Sequence, residues 1–171
     1  MSPLTSREPG AVGAALEDAD SWCGLIVDNH HVHPATLRIA MRAKAEGKMM
    51  LVTDAVQTVG VEGREFRLLG QKIIREAGRV SSPEGTLAGS DLDMASAVRN
   101  CVELLGLPLE EGLRMASRYP ARFLRLDRRY GCIAPGFSAD MVLLDDALQV
   151  HQTWIAGQAD PGQPSLSCVG S

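Results

Sequence analysis

The chain lacks several features that mark particular protein classes. No apolar run approaches the ~20 residues that a membrane-spanning helix needs. Residues 1–4 carry neither the basic stretch nor the apolar segment of a signal peptide. The formal net charge of -4, with both signs interspersed, does not favour binding to nucleic acid or to an anionic membrane. These absences predict a cytoplasmic protein with no nucleic-acid partner and no membrane partner.

Cysteine is scarce and unpaired in the sequence. The chain forms no C-x-x-C motif, which argues against a zinc knuckle or a disulfide framework and predicts reduced thiols. The four cysteines are far apart: Cys23, Cys101, Cys132 and Cys168. Hydrophobic residues make up 45% of the 171 residues, which is enough for the core of one ordinary domain.

Two short apolar runs predict buried parallel strands, and each run ends in an acid. Residues 24–27 lead to Asp28, and residues 49–53 lead to Asp54. A helical pattern between them completes a βαβ unit, so both acids are expected on one rim. Asp54 is the strongest candidate for a general base or a metal ligand. The alternative is a surface acid that ends a strand or caps a helix.

Three histidines follow the first predicted strand. In an extended segment His31 and His33 point the same way, and His30 points the opposite way. An H-x-H pair can grip zinc, although solvent exposure is the alternative for each ring. Three histidines beside one strand end predict that at least one has a function.

The second half of the chain has a different character. Residues 65–82 are typical of short strands joined by tight turns, and residues 83–89 are expected to form a loop. Ser90 is predicted to begin a helix, with Asp93 completing a weak capping box. The backbone N–H groups of residues 85–90 could then hold an anion or hydroxyl groups.

Two last strands are predicted at residues 140–144 and 150–155. The tail from residue 158 is rich in Pro, Gly and Ser and is expected to be disordered. Two βα units cannot close a barrel, which needs about eight, and two parallel strands alone would leave faces and edges exposed. The layout therefore predicts the C-terminal piece of a larger protein.

Taken together, these motifs resemble N-acetylglucosamine-6-phosphate deacetylase, a member of the metal-dependent amidohydrolase superfamily. The likeness is carried by residues 7–10 (REPG), 28–32 (DNHHV), 51–55 (LVTDA) and 85–90 (GTLAGS). Residues 94–100, 114–122 and 133–140 extend it, so that it covers residues 1 to about 157.

The resemblance implies an α/β fold, because the family is a (β/α)8 barrel with a small β-sandwich domain built from both chain ends. Residues 1–130 would be the C-terminal part of the barrel, its last two strands and following helices, with a short β insertion near 65–82. Residues 131–157 would be strands of the small β-domain, and residues 158–171 a disordered tail. The implied reaction is hydrolysis of N-acetylglucosamine 6-phosphate to glucosamine 6-phosphate and acetate, in amino-sugar catabolism, by a longer enzyme.

The resemblance also implies roles for single residues. Asp54 would take a proton from a metal-bound water and pass it to the departing amine. His31 would polarise the substrate carbonyl. Arg7 would bind the sugar phosphate with its guanidinium fork, reaching across from the partner subunit of a homodimer. Four further residues would line or flank the sugar site: Leu87, Ala88, Gly89 and Asp28.

The family uses a divalent metal, zinc or a similar ion. Its ligands there are a glutamate and two histidines that precede the position matching Met1, so this chain carries none of them. The alternatives are an inactive truncated remnant, one complementing half of a split enzyme, or another amidohydrolase acting on a cyclic amide. Arg7 and residues 85–90 argue against the last, because such substrates lack a sugar phosphate.

Overall fold

Three small sheets and five helices make up the part of the chain that the structure describes. The structure is a computed structural model, and it describes residues 4–162 of the 171. The helices are α1 (Gly10–Glu17), α2 (Pro34–Ala43), α3 (Met94–Glu103), α4 (Leu109–Ala116) and α5 (Arg118–Phe123). The strands are β1 (Cys23–Leu25), β2 (Met49–Leu51), β3 (Glu65–Leu68), β4 (Gln71–Glu76), β5 (Arg79–Ser81), β6 (Leu87–Ser90), β7 (Met141–Leu144), β8 (Val150–Ile155) and β9 (Gln158–Ala159). The α/β class is as predicted.

The first sheet is the parallel pair β1–β2, with α2 as its crossover. The register runs from Cys23 opposite Met49 to Leu25 opposite Leu51. Helix α2 begins at Pro34, where a proline is tolerated because the first-turn N–H has no helical partner. The predicted βαβ unit is therefore confirmed, and the chain leaves both strands at the same edge.

The second sheet is antiparallel, in the order β3–β4–β5–β6. The short strands predicted within residues 65–82 are present as β3, β4 and β5. The loop prediction for residues 83–89 is wrong at its end, because Leu87, Ala88 and Gly89 belong to β6. Leu87 pairs with Ser81 of β5, a partner that the local sequence does not reveal.

The helix start predicted at Ser90 is also wrong. Ser90 ends β6, and its buried hydroxyl donates a hydrogen bond to the carbonyl of Thr53. Its oxygen also accepts the N–H of Leu92, so this side chain ties β6 to the segment after β2. Helix α3 begins at Met94 with Asp93 as its cap, because the Asp93 carboxylate accepts the N–H of Ser96 at 2.8 Å.

The third sheet contains the two last predicted strands and one that was not predicted. Strands β7 and β8 pair antiparallel, as expected, and β9 adds Gln158–Ala159 to β8. Disorder from residue 158 is therefore wrong for these two residues. The N–H of Asp160 donates to the carbonyl of Thr153 at 2.9 Å, which holds this end of the chain on the sheet. Residues 163–171 of the predicted tail lie outside the described residues.

One hydrophobic core joins α2, α3, α4 and α5 to the parallel pair. Its buried members are Val27, Leu37, Met49, Leu51, Leu92, Ala97, Val98, Cys101, Leu105, Met115 and Tyr119. Within residues 4–162 three cysteines are free, and Cys168 falls beyond that range. Burial, followed by the charge of Glu111, raises the pKa of the Cys101 thiol to about 11. None of the helices in the described range is long and apolar enough to span a bilayer.

Candidate active site

Asp54 lies just beyond the C-terminal end of β2, with its side chain 57% exposed. Its φ of 52° is in the left-handed region that most residues avoid, and its carbonyl accepts the N–H of Ser90 at 2.8 Å. Gly89 makes this approach possible. A Cβ added to Gly89, whose φ is +119°, would lie 2.6 Å from Val56 Cγ1 and 3.1 Å from the Asp54 carbonyl oxygen. The backbone on both sides of the carboxylate is therefore held by β6.

Asp28 follows β1 and forms a tight turn with the two histidines after it. Its Oδ1 accepts the backbone N–H groups of His30 and His31, both at 2.9 Å. Asn29, between them, has a φ of 63°, a conformation that asparagine tolerates better than most residues. This turn brings the His31 ring back against the Asp28 carboxylate, with Nδ1 2.7 Å from Oδ2.

The environment of Asp28 keeps it ionised. Burial opposes the charge, since the side chain is only 4% exposed. Hydrogen bonds from the His31 backbone, the His31 ring and the His30 backbone outweigh that burial and hold the pKa of Asp28 below its usual range. The acid therefore carries a buried negative charge beside the His31 ring.

His31 connects the two acids. Its Nε2 lies 3.3 Å from Asp54 Oδ2, while its Nδ1 faces Asp28. The ends of β1 and β2 thus bring together three residues that the sequence had singled out, in the order Asp28–His31–Asp54. We call this set the relay. The Asp54 carboxylate, at one end of the relay, is exposed to solvent, and the Asp28 carboxylate, at the other end, is buried.

The other two histidines have different neighbours. The Nε2–H of His30 donates to the carbonyl of Ala77 at 3.2 Å, in the turn between β4 and β5. His33 caps α2, because its Nδ1 accepts the N–H of Ala35 at 3.2 Å. Across residues 4–162, no group of three or more His, Cys, Asp and Glu side chains could hold a metal ion. The H-x-H zinc hypothesis thus gains no third ligand from this range.

The remaining predicted site residues lie in two places. Arg7 is exposed in the segment before α1, where Thr5 and Glu8 close a turn through the Thr5 hydroxyl. Gly89 packs directly against the Asp54 backbone, as described above. Leu87 and Ala88 are half-buried and precede Gly89 on the same strand.

Sequence reasoning missed two residues that hold the relay in place. Asn100 on α3 donates from Nδ2 to the carbonyl of Val27 at 2.7 Å, immediately before Asp28. Ser90 holds the carbonyl of Thr53, immediately before Asp54. A signal existed for Asn100, because it is an amide beside the apolar stripe of a helix that packs on the parallel strands. The sequence marks Ser90 only as a possible helix start and gives no local sign of its contact with Thr53.

A cavity of about 580 Å³ lies elsewhere, between α3, α4 and the β7–β8 pair. Its lining is mainly apolar and includes Met94, Leu113 and Val142, but none of the relay residues. The relay combines an exposed carboxylate with a histidine oriented by a buried acid, whereas none of the described residues lining this cavity is a histidine.

The chain is similar in sequence to several known proteins. The Amidohydrolase family model matches residues 11–163. The chain is 47% identical over 158 residues to an N-acetylgalactosamine-6-phosphate deacetylase of Shewanella sp. (strain ANA-3), covering 92% of this chain and 40% of that protein. It is 44% identical over 158 residues to a "Putative N-acetylgalactosamine-6-phosphate deacetylase" of Escherichia coli (strain K12), covering 92% of this chain and 94% of that protein. An N-acetylglucosamine-6-phosphate deacetylase of Haemophilus influenzae is 35% identical over 161 residues, covering 92% of this chain and 42% of that protein.

Solved structures show the same relation. The N-acetylglucosamine-6-phosphate deacetylase of Pasteurella multocida aligns with a TM-score of 0.86 and 33% identity, over 91% of this chain and 41% of that one. A mutant of the Mycobacterium smegmatis enzyme in complex with N-acetyl-D-glucosamine-6-phosphate aligns with a TM-score of 0.85 and 34% identity, over 93% and 42% of the two chains. The chain thus spans about two fifths of the length of these structures and of the Shewanella relative.

Proposed function

We propose that this chain, which belongs to the amidohydrolase family, supplies part of an enzyme that hydrolyses the acetamide of a 6-phosphorylated N-acetylhexosamine. The observation that carries the proposal is the relay Asp28–His31–Asp54 at the ends of two parallel strands. We further propose that β1 and β2 are the last two strands of a (β/α)8 barrel, and that β7–β9 belong to a small β-sandwich domain.

The names of the relatives give two members of this substrate class, which differ in the configuration of one hydroxyl. The relatives at 47% and 44% identity are named for N-acetylgalactosamine 6-phosphate. Those named for N-acetylglucosamine 6-phosphate, the sugar that the sequence motifs suggested, are 34% to 41% identical. Both sugars are therefore proposed as substrates, with the galacto form the more readily hydrolysed.

The chemistry assigned to this chain consists of proton transfers. Asp54 takes a proton from the attacking water and returns it to the nitrogen of the departing amine, so the C–N bond breaks with a neutral leaving group. With a proton shared between Asp54 and its Nε2, His31 donates a hydrogen bond from Nε2 to the acetamide oxygen as that oxygen gains negative charge. The exposed carboxylate and the half-buried ring, 3.3 Å apart, are placed for these two tasks.

Binding is assigned to residues around the relay. Arg7 would hold the sugar phosphate, in a homodimer whose partner subunit contributes this arginine. The backbone of Leu87, Ala88 and Gly89 would face the sugar. Residues 4–162 do not by themselves form a metal site, so a divalent metal, zinc or a similar ion, would need ligands from beyond them.

Complementation tests the proposal. The chain is expressed with the part of the Shewanella relative that it does not match, and acetate release is measured from both sugar phosphates with Zn²⁺ supplied. We expect activity only when both pieces are present, and a loss of ~10²-fold or more in Asp54→Asn. Asp20→Asn, at an exposed acid before β1, is the matched control and keeps full activity.

The opposite result is equally clear. If the mixture releases no acetate while the intact Shewanella enzyme does so under the same conditions, the chain is an inactive remnant. If the mixture is active and Asp54→Asn is as active as the unmodified chain, the relay is not the site.

A further inference from the structure

We propose that Asp28 is a positioning residue, which keeps the proton of the neutral His31 ring on Nδ1 and does not itself contact substrate. The resemblance had placed Asp28 beside the sugar. In the structure it lies behind the histidine, on the side away from Asp54. The placement of the proton is a property of this chain alone, whereas its catalytic meaning rests on the function proposed above.

The first argument is access. The Asp28 side chain is 4% exposed, and its oxygens are already used within the turn. Oδ1 accepts two backbone N–H groups, which fills both of its lone pairs, and Oδ2 faces the His31 ring at 2.7 Å. The second lone pair of Oδ2 remains, and the burial of the Asp28 side chain leaves a sugar hydroxyl little access to it.

The second argument is proton placement. An ionised carboxylate can only accept hydrogen bonds, so Nδ1 must be the donor in the 2.7 Å contact. In the neutral ring, Nε2 then presents its lone pair toward Asp54 Oδ2, 3.3 Å away. A proton that arrives between these two atoms is shared by them, and Asp28 supplies the buried charge that stabilises the resulting imidazolium.

The third argument is rigidity. The backbone before Asp28 is fixed by Asn100, whose Nδ2 donates to the Val27 carbonyl, and Val27 is fully buried. The backbone after Asp28 is fixed by the two N–H groups bound to its own Oδ1. The ring of His31 is therefore oriented by a turn that is held at both ends, as a proton-transferring group requires.

The test replaces the acceptor with a donor of the same shape. In Asp28→Asn the carboxamide oxygen stays with the two backbone N–H groups of His30 and His31, because turning the amide would oppose donors to donors. The NH₂ group then faces Nδ1, which must become an acceptor, and the ring proton moves to Nε2. Nitrogen NMR of the chain labelled with ¹⁵N-histidine distinguishes the two tautomers, and His31→Gln identifies the signal.

We expect the Nδ1–H form of His31 in the unmodified chain and the Nε2–H form in Asp28→Asn. Asp93→Asn is the matched control, because Asp93 also accepts hydrogen bonds from a backbone N–H and a hydroxyl, both of Ser96, and has no histidine partner. It leaves the His31 signal unchanged. An Nε2–H form in the unmodified chain overturns the proposal. If Asp28→Asn does not fold, the unmodified chain alone decides.

A kinetic measurement separates positioning from substrate contact. In the complemented enzyme, Asp28→Asn should lower kcat by ~10²-fold and leave KM nearly unchanged. A rise in KM with an unchanged kcat would show that Asp28 binds the sugar. If the unmodified mixture has no activity, the proposed function fails while the NMR result stands by itself.

Discussion

Replacing Gly89 with alanine tests the close approach of β6 to Asp54. The new Cβ would lie 2.6 Å from Val56 Cγ1, which requires the neighbouring chain to shift, and overpacking of this kind costs about 1–3 kcal/mol. The φ of +119° adds about 1 kcal/mol or more, because an L-residue rarely adopts it. We therefore expect Gly89→Ala to lower the free energy of unfolding by about 2–4 kcal/mol.

Two further variants separate these costs in urea unfolding experiments. Gly85→Ala is the control for conformation alone, since Gly85 has a φ of +88° and nothing within 4 Å of the added Cβ, and it should cost about 1 kcal/mol. In a Val56→Ala background the cost of Gly89→Ala should fall by about 1–2 kcal/mol, because the overlapping methyl group is gone. If Gly89→Ala costs no more than Gly85→Ala, or costs the same in both backgrounds, the packing of β6 against the Asp54 segment is refuted.

Three other predictions concern buried groups. Lys44 is buried and donates to the carbonyl of Ala15, within α1, and to that of Asp18, just after α1. Lys44→Met should therefore lower the free energy of unfolding by about 2 kcal/mol, while Arg42→Met changes it little. Because hydrogen bonds depress the pKa of Asp28 below its ordinary 3.8, its contribution to stability is complete above that value and is lost as the pH falls below it. The acid limb of stability against pH should accordingly flatten in Asp28→Asn, and an unchanged limb would contradict the assignment. Cys101, with a pKa of about 11, should resist iodoacetamide at pH 8 in the folded chain and react in urea, as peptide mass mapping would show; labelling of the native protein would refute its burial.

The parallel pair could be predicted because its signal is local. Two apolar runs, each closed by an acid, have few other interpretations when a helical pattern lies between them. The same reasoning placed Asp28 and Asp54 on one rim, and the structure joins them through His31. The spacing of the residues did not decide which histidine connects the two acids. That depends on the turn in which the Asp28 carboxylate accepts the backbone N–H groups of His30 and His31.

The errors arose where a distant partner decides the outcome. Ser90 and Asp93 are both capable of capping a helix, and only the contact of Ser90 with Thr53 assigns the cap to Asp93. The glycines at residues 85 and 89 are typical of a loop, yet Leu87–Ser90 form strand β6 because they pair with β5. Strand β9 likewise forms by pairing with β8, and the composition of the tail does not predict this pairing.

The contact between His30 and Ala77 has a consequence for how this protein can vary in evolution. The ring of His30 meets the main chain of the β4–β5 turn and not a side chain, so substitutions at residue 77 can accumulate without breaking the contact. They are limited mainly by a φ of 49°, which favours Gly or Asn. Loss or gain of a residue in this turn, by contrast, would carry the carbonyl away from the ring that precedes His31. Natural homologues should therefore differ at residue 77 among the residue types that tolerate this φ, and seldom in the length of the turn.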